Sequence, residues 1–278
     1  MNFAPQGMAR PFNDKGDFVI GNVAPGSYTL TATMNQDGKT TSARTQLDVG
    51  GSPIQGIALQ LTPGAEIAGR IKIEGAQTDA KTPNLHVYLQ TRSLMMYGPG
   101  AQGGLVKEDN SFILTNVQPE VYDIRVMGMP DGGYVRSIRF GDDDLTESSL
   151  DLTGGVPAGE LSLVIAMAAG QLTGPVQNEK SEPATSGIVV LVPEGKRREV
   201  ERFYQQTSTD QYGNYTLKNV APGEYRLFAF DTIEYGSYQD PEWLKPFESK
   251  GERISVKEND KQTVQLKLVV TQDQAGTR

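Results

Sequence analysis

The stretch FVIGNVAPGSY, from Phe18 to Tyr28, decides the fold because it returns twice, as FILTNVQPEVY from Phe112 and as YTLKNVAPGEY from Tyr215. Every copy keeps an aromatic residue, then Asn-Val, then Pro, then Tyr at the same spacing. Self-similarity of this kind predicts a repeated structural unit. The repeated positions are Phe18, Asn22, Pro25 and Tyr28; Phe112, Asn116, Pro119 and Tyr122; and Tyr215, Asn219, Pro222 and Tyr225.

The sequence on both sides of this repeated motif, here called the phrase, repeats as well. A polar, turn-forming cluster precedes each copy. An alternating apolar triple follows each copy, at Ile57 to Leu61, Leu161 to Ile165 and Val264 to Leu268. Alternation with period two is typical of a strand with one buried face. We therefore expect one strand at each triple and another that begins at the first residue of each phrase.

The opening strands of the unit are recognisable only in the second and third copies, at Ile67 to Ile73 and Gly170 to Val176. Before Phe18 there are seventeen residues, too few for both strands. We predict a partial sandwich over residues 1–62 that lacks its leading strands. Complete sandwiches are predicted over 63–167 and 168–271, and a disordered tail over 272–278. Because an open sheet edge invites pairing, we expect the first unit to be covered by residues that precede this sequence or by another copy, which would make a homo-oligomer.

Composition favours an all-β chain. Gly and Pro number 31 and 16, and turn-rich sequence with short strands is typical of β-sandwiches. The absence of cysteine excludes disulfides but does not fix the compartment.

Charge and hydropathy exclude two kinds of partner. The net charge of -8 weighs against nucleic acid, which requires clustered Lys and Arg. The basic run Lys196-Arg197-Arg198 adjoins Glu199 and Glu201, which favours a solvated loop. No segment is long and apolar enough to span a membrane, and no signal-peptide core is present. An export signal would have to lie before Met1.

The phrase itself reads as strand, corner and strand. Pro fixes φ at the corner, Gly26 and Gly223 adopt conformations closed to other residues, and Asn bonds local backbone. The Tyr is expected to pack inward with its hydroxyl tied to the corner, so the motif is structural. Glu120 takes the glycine position in the second copy, which requires a different turn or strain.

The form (F/Y)-x-(I/L)-x-N-V-x-P-G-x-Y resembles the carboxypeptidase regulatory-like domain, a transthyretin-like sandwich related to collagen-adhesin B-type repeats. The segments GGYVRSIRFGDDDL at Gly132 and VVLVPEG at Val189 are similar to multi-domain versions in secreted and outer-surface proteins, particularly of Acidobacteria-like bacteria. The resemblance implies tandem Greek-key sandwiches (prealbumin/transthyretin-like, with a carbohydrate-binding-like fold) in an extracellular or periplasmic setting. It also implies a scaffold, adhesion or carbohydrate-binding role.

Two properties of those relatives do not transfer. Internal isopeptide bonds need an acidic residue on the strand after the corner, where this chain has Ala32, Val126 and Ala229. A zinc peptidase needs several His and Glu ligands, and the only histidine is His86, on the outward face of its strand. We therefore expect no catalytic residue, metal or cofactor, and no enzyme.

The insertion at residues 231–251 is the candidate ligand surface. Flat aromatics beside carboxylates are what a sugar platform requires. The candidate residues are Trp243, Tyr235, Tyr238, Phe247, Glu234, Asp240 and Glu242. The alternative is that Trp243, Leu244 and Phe247 cap an open end of the sandwich, since exposed apolar clusters are unusual.

Three functions remain open at this stage. The leading one is a non-catalytic, extracytoplasmic structural or adhesion array that binds polysaccharide or another surface protein. The alternative is a carbohydrate-binding module that uses the Trp243 insertion. A glycoside hydrolase is the third, since the acidic runs at Asp142 to Glu147 and Glu234 to Glu242 offer carboxylates.

Overall fold

The computed structural model describes residues 13, 15–36, 39–75, 84–91 and 103–271. The chain forms two compact units, Met1–Gly64 and Ala65–Arg278. Strands dominate both units, so the predicted all-β class is confirmed. The tail expected at 272–278 lies outside the described residues.

The described part of the first unit is a three-stranded antiparallel sheet. β1 (Gly26–Gln36) and β2 (Lys39–Val49) pair along their whole length, and β3 (Thr62–Pro63) pairs with β2. Tyr28 and Leu47 lie opposite each other and are both half-buried. No described residue of this unit is fully buried, so the sheet has an apolar face without a closed core.

Two strands expected in the first unit do not form. The segments that begin at Phe18 and at Ile57 have no strand structure, so the prediction is wrong for this copy. In the other copies the corresponding segments both pair with one leading strand, described below. No strand of that kind lies among the described residues before Ala65, and neither segment therefore finds a ladder.

The second unit begins with two facing sheets, here called the middle sandwich. Its strands are β4 (Ala65–Glu74), β5 (His86–Thr91), β6 (Gly104–Leu105), β7 (Ser111–Val117), β8 (Val121–Met127), β9 (Tyr134–Phe140), β10 (Asp143–Asp144), β11 (Leu150–Asp151) and β12 (Leu161–Ala166). One sheet has the order β10-β9-β12-β4-β7 and the other β11-β8-β5-β6. Their alternate residues meet in a core that includes Ile67, Leu85, Phe112 and Ile138.

The C-terminal sandwich follows after the three residues 167–169. Its strands are β13 (Gly170–Gln177), β14 (Ile188–Pro193), β15 (Gln205–Ser208), β16 (Asn214–Val220), β17 (Gly223–Phe230), β18 (Glu252–Val256), β19 (Lys261–Thr263) and β20 (Leu266–Val269). They form one sheet of order β15-β14-β17-β20-β13-β16, with β18 on β17 and β19 on β13. Four 3-10 helices (Gly195–Glu199, Glu201–Phe203, Ser237–Gln239 and Lys245–Lys250) and one helix, α1 (Pro241–Leu244), complete it. The sheet encloses a core that includes Leu172, Leu191, Tyr215 and Leu227.

β4 and β13 are the leading strands, and both occupy the same place in their sandwiches. β4 lies between β7, which is antiparallel to it, and β12, which is parallel. β13 lies in the same way between β16 and β20. Each leading strand therefore lies between the strand of the repeated phrase and the strand of the alternating triple, and it pairs with both.

A glycine on each leading strand allows this close approach. A Cβ atom on Gly69 would lie 2.1 Å from the ring of Phe112 and 2.7 Å from the carbonyl oxygen of Leu161. A Cβ atom on Gly174 would lie 2.0 Å from the carbonyl oxygen of Val264. Because real Cβ atoms do not approach so closely, the strand needs glycine at this point.

The asparagine of the repeated phrase has a left-handed backbone in all three copies. The φ angles of Asn22, Asn116 and Asn219 are 59°, 59° and 57°. Asn enters this region more readily than most residues with a side chain. Backbone conformation therefore explains the residue type.

The tyrosine closes the same corner in each copy. The hydroxyls of Tyr28, Tyr122 and Tyr225 donate to the carbonyl oxygen four residues earlier, at 2.9, 3.0 and 2.8 Å. Glu120 has no positive φ, and its N–H donates to the oxygen of Gln118 at 2.9 Å. The second corner thus uses a turn that needs no glycine.

We expect Gly69→Ala to lower the free energy of unfolding of the second unit by about 1–3 kcal/mol, because the new methyl group meets the Phe112 ring and backbone. Chemical denaturation monitored by circular dichroism measures it. Gly154→Ala is the matched control: nothing lies within 4 Å of its Cβ position, so its effect should stay within about 0.5 kcal/mol. Equal stabilities of the two variants would contradict the role assigned to the leading-strand glycine.

Candidate functional site

The insertion at 231–251 covers the outer face of the C-terminal sheet. β14 and β17 bury both of their faces, one in the sandwich core and the other outside it. The outer side chains Val190, Phe228 and Phe230 are at most 1% exposed. Leu244 and Phe247 of the insertion pack on them. The insertion thus builds a second hydrophobic layer on a sheet face.

The four predicted aromatic residues of the insertion form one cluster with unequal exposure. The half-buried ring of Trp243 lies 5.5 Å from that of Phe230 and 5.1 Å from that of Phe247. Tyr238 and Phe247 are 3% and 4% exposed, and they present no ring face to solvent. Tyr235 is 77% exposed, and its ring meets that of Tyr238 edge-on at 6.3 Å.

The three predicted carboxylates of the insertion are exposed and have local contacts. Asp240 caps α1 by accepting a hydrogen bond from the N–H of Glu242 at 2.9 Å. Glu242 lies 3.6 Å from the Nζ atom of Lys245. Glu234 lies beside Tyr235, and its carbonyl oxygen accepts from the hydroxyl of Ser237 at 2.8 Å.

An ion-pair cluster fastens the insertion to the sheet. Arg226 on β17 is 9% exposed and donates from Nε to Glu194 at 2.9 Å. It also donates to Glu248 of the insertion. Arg198 contacts both glutamates, at 2.7 Å for Glu248 and 3.1 Å for Glu194. The hydrogen bond from Arg198 lowers the pKa of Glu248 below its usual value.

The segment 195–204 joins the two sandwiches. Its basic run Lys196-Arg197-Arg198 was expected to be a solvated loop, and this is wrong for Arg197 and Arg198, which are half-buried and bonded to glutamates. Arg202 donates to the carbonyl oxygens of Leu145, at 3.0 Å, and Thr146, both in the middle sandwich. Burial lowers the pKa of Arg202 to about 10. The charge is retained at neutral pH and is directed at backbone oxygens.

A second arginine of this segment crosses the same boundary. Arg197 donates from Nε to Glu147 of the middle sandwich at 2.7 Å. The guanidinium groups of Arg197 and Arg202 lie 4.5 and 4.9 Å from the centre of the Phe203 ring. Cation–π attraction therefore holds both arginines in place.

Glu201 binds two side chains of the middle sandwich. It accepts from Gln90 at 3.0 Å and pairs with Arg125 at 2.6 Å. The Arg125 and Glu201 side chains are each only 20% exposed. Exclusion of solvent makes such a pair stronger than an exposed one.

The phrase asparagine of the third copy also takes part in this joint. Asn219 accepts from the N–H of Gly132 at 2.8 Å and donates to the carbonyl oxygen of Pro130 at 3.1 Å. Next to it, Lys218 pairs with Asp131 at 2.8 Å. The corner of one sandwich thereby holds a loop of the other.

The short connection between the sandwiches is itself bonded. The N–H of Met167 donates to Glu74 and that of Ala169 to Gly132, each at 2.8 Å. The carbonyl oxygen of Ala168 accepts from Asn259 at 2.8 Å. All three residues of the connection therefore make backbone hydrogen bonds.

A further pair of contacts lies beside that connection. Glu258 accepts from the hydroxyl of Tyr134 at 2.7 Å and from Arg136 at 2.5 Å. The hydrogen bond from Tyr134 is the main cause of the lowered pKa of Glu258. We call all of these contacts together the inter-sandwich joint.

The other residues considered for catalysis or metal binding, His86 and the acidic run that begins at Asp142, lie on different elements. His86 is half-buried on β5, where it pairs with Leu105 and packs against Gly103. Asp142 lies in a turn, Asp143 and Asp144 form β10, and all three are exposed. Within the described ranges, no three His, Asp or Glu residues could hold a metal ion. In that same part of the chain, no helix has the length and hydrophobicity to cross a membrane.

No protein-family model and no curated protein matches the chain. Solved structures with some likeness include pilins. A streptococcal ancillary pilin has 9% sequence identity and a TM-score of 0.28, over 89% of this chain and 76% of that one. A minor pilin of Streptococcus agalactiae has 9% identity and 0.28, over 73% and 94%. The major pilin subunit of Bacillus cereus has 10% identity and 0.26, over 87% and 94%. At these TM-scores the likeness carries no argument about function.

Acid should release the insertion from the sheet, and Trp243, the single tryptophan, reports on it by fluorescence. The pKa of Glu248 is lowered from 4.5 in the folded chain. Its stabilising contribution is therefore present above pH 4.5 and is lost as the pH falls through the lower folded value. We expect the emission to shift to longer wavelength in that acid range.

Glu248→Gln should show the shifted emission already at pH 7 and should lack the acid step. Glu242→Gln is the control, since that carboxylate is exposed and makes only a long contact with Lys245. Identical titrations of wild type and Glu248→Gln would show that the ion cluster does not hold the insertion.

Proposed function

We propose that the chain is a non-catalytic, extracytoplasmic structural or adhesion array of carboxypeptidase regulatory-like domains, in which neighbouring sandwiches are held at a fixed geometry. The units proposed are a partial sandwich at 1–62 and complete ones at 63–167 and 168–271. The inter-sandwich joint is the observation that supports this proposal. An array that carries load or displays a surface needs such joints.

The composition of the joint favours fixed geometry over hinge motion. Domains linked within one chain usually move relative to each other unless their interface is extensive. Here Arg202, Arg197, Glu201 and Asn219 each bind the neighbouring sandwich. Hydrogen bonds to charged groups contribute roughly 1.5–3 kcal/mol each. Rotation of one sandwich against the other would break several of them at once.

Distances between spin labels should test the joint directly. The chain has no cysteine, so Leu105→Cys and Tyr212→Cys, at positions 61% and 69% exposed, place one label on each sandwich. We expect a single narrow distance distribution by pulsed electron paramagnetic resonance. Arg202→Met combined with Glu201→Gln should broaden it, because both substitutions remove bonds across the joint.

Arg70→Met is the matched control for this measurement. Arg70 pairs with Glu160 within the middle sandwich, and both side chains are largely exposed. This variant should keep the narrow distribution. A broad distribution in the wild type, or no broadening in the double variant, would contradict a fixed array.

The second candidate function is carbohydrate binding by the insertion. Exposed Tyr235 beside Glu234 supports it, since an open aromatic face stacks on sugar rings while a carboxylate binds hydroxyls. Trp243 is half-buried against Phe230 and could contribute only one edge. A glycoside hydrolase has no corresponding observation in its favour.

A glycan array with the full chain tests this second candidate. Tyr235→Ala should abolish any signal if Tyr235 is the platform. Tyr212→Ala removes another exposed tyrosine, in the turn before β16, and should leave binding unchanged. No signal with the wild type, or equal signals for the two variants, would remove the insertion as a sugar site.

A further inference from the structure

The outer face of β5 and β8 in the middle sandwich is polar where the same face of the C-terminal sandwich is apolar. Arg125 on β8 takes the position of Phe228 on β17, three residues after the corner tyrosine in each copy. Gln90 on β5 likewise takes the position of Val192 on β14. Phe228 and Val192 pack with the insertion, whereas Arg125 and Gln90 are half-buried. The middle sandwich therefore presents polar groups where its neighbour needs an apolar cover.

Glu201 of the C-terminal sandwich joins these two residues, and we call Gln90, Arg125 and Glu201 the polar triad. Gln90 accepts from Nε of Arg125 at 3.2 Å and donates to Glu201 at 3.0 Å. Arg125 pairs with Glu201 at 2.6 Å. The three planar groups hold one another in place, yet Gln90 retains a second amide hydrogen and each carboxylate oxygen a further lone pair. The triad can therefore both donate to and accept from the hydroxyl groups of a ligand.

The exposed ring of Tyr235 reaches the same region through Tyr238. The ring of Tyr238 lies 6.3 Å from that of Tyr235 and 6.1 Å from that of Tyr204. Tyr204 donates its N–H to the carbonyl oxygen of Glu201 at 3.0 Å. Burial raises the pKa of Tyr238 to about 12, and the nearby charges of Glu201 and Arg125 act on it too. Tyr235 and the polar triad therefore belong to one surface region, built from both sandwiches.

We propose that this region binds a neutral oligosaccharide, with Tyr235 as the stacking platform and the polar triad as the hydroxyl-binding group. The inference rests on carbohydrate binding, the second candidate function, and extends that site from the insertion onto the middle sandwich. The ligand contacts both sandwiches, and the inter-sandwich joint holds the two halves of its site together.

The charge of the polar triad favours an uncharged ligand. Arg125 and Glu201 neutralise each other, so no net positive charge attracts a carboxylate or sulfate group. The chain as a whole has a net charge of -8, which repels polyanions. A neutral sugar instead offers hydroxyl groups that donate and accept, and an apolar ring face that stacks on an aromatic side chain.

Tyr88 adds a second aromatic residue to the same sheet face. It lies directly opposite Arg125 in the register of β5 and β8. It precedes Gln90 by two residues and therefore shares its side of the strand. Its side chain is half-buried. An oligosaccharide can thus extend from Tyr235 across the polar triad towards Tyr88.

Isothermal titration calorimetry of the full chain tests the proposal. The neutral probes are cellohexaose, maltohexaose, xylohexaose and mannohexaose, and hexagalacturonic acid is the charged probe. We expect at least one neutral probe to bind, and hexagalacturonic acid to bind at least about tenfold more weakly. Tyr235→Ala and Gln90→Leu, one in each sandwich, should each weaken binding of the neutral probe at least about tenfold. The first removes the stacking ring, and the second leaves a sugar hydroxyl without its partner.

Two further variants sharpen the measurement. Arg125→Lys keeps a positive charge beside Glu201 but loses the hydrogen bond from Nε to Gln90, so it should weaken binding as well. Gln265→Leu is the matched control for Gln90→Leu. Gln265 is exposed and bonds Gln177 within the C-terminal sandwich, so its loss should change the affinity by less than about twofold.

The possible failures point to different errors. Weaker binding in Tyr235→Ala alone would overturn the proposal and leave a sugar site confined to the insertion. Absence of binding by all four neutral probes would overturn both the proposal and the second candidate function, as would equal affinities of the wild type and the variants at positions 90, 125 and 235. Hexagalacturonic acid bound as tightly as the neutral probe would overturn the assignment to a neutral ligand.

Discussion

The central position of the leading strand is the constraint on which each sandwich depends. β4 and β13 bond on both edges, and they join the phrase strand to the strand of the alternating triple. In this fold the leading strand needs a residue without a Cβ atom at the point where ring or backbone atoms of its partners approach it closely. Gly69 and Gly174 meet that requirement, since a Cβ atom there would overlap ring or backbone atoms. In the first unit no such strand lies among the described residues, and its two apolar segments remain outside any described ladder.

The C-terminal sandwich carries a second constraint, which the repeat does not share. β17 buries Leu227 on the inner face and Phe228 on the outer face. Strands with two apolar faces need cover on both, and the insertion supplies the outer cover. Arg226 would be a buried charge on that outer face, and Glu194 and Glu248 neutralise it. An arginine buried beneath the insertion therefore needs the two glutamates of the ion cluster as counter-charges.

The sequence predicted those features that repeat, and it missed those that occur once. Period-two alternation located the strands of the complete sandwiches, and the tyrosine corner followed from the phrase. The apolar runs Ile188 to Val192 and Leu227 to Phe230 were the available signal for a sheet buried on both sides. The basic run Lys196-Arg197-Arg198 was expected to be solvated because Glu199 and Glu201 adjoin it. Only the fold shows that Glu147 lies within reach of Arg197, and two backbone carbonyls of the preceding sandwich within reach of Arg202.

Asn219 shows that an asparagine whose backbone conformation belongs to the corner can also take part in the inter-sandwich joint. Asn116 has the same left-handed φ as Asn219, yet its buried Nδ2 atom has no hydrogen-bond partner among the described residues. The Oδ1 atom of Asn116 accepts from Nε2 of Gln118 at 3.1 Å, so the side-chain partners differ between the copies, whereas the conformation is common to all of them. In the third copy the same amide reaches Pro130 and Gly132 of the neighbouring sandwich. A corner that favours Asn because of its left-handed backbone therefore offers an amide at the same place in each sandwich, and in the third copy a loop of the preceding sandwich binds it.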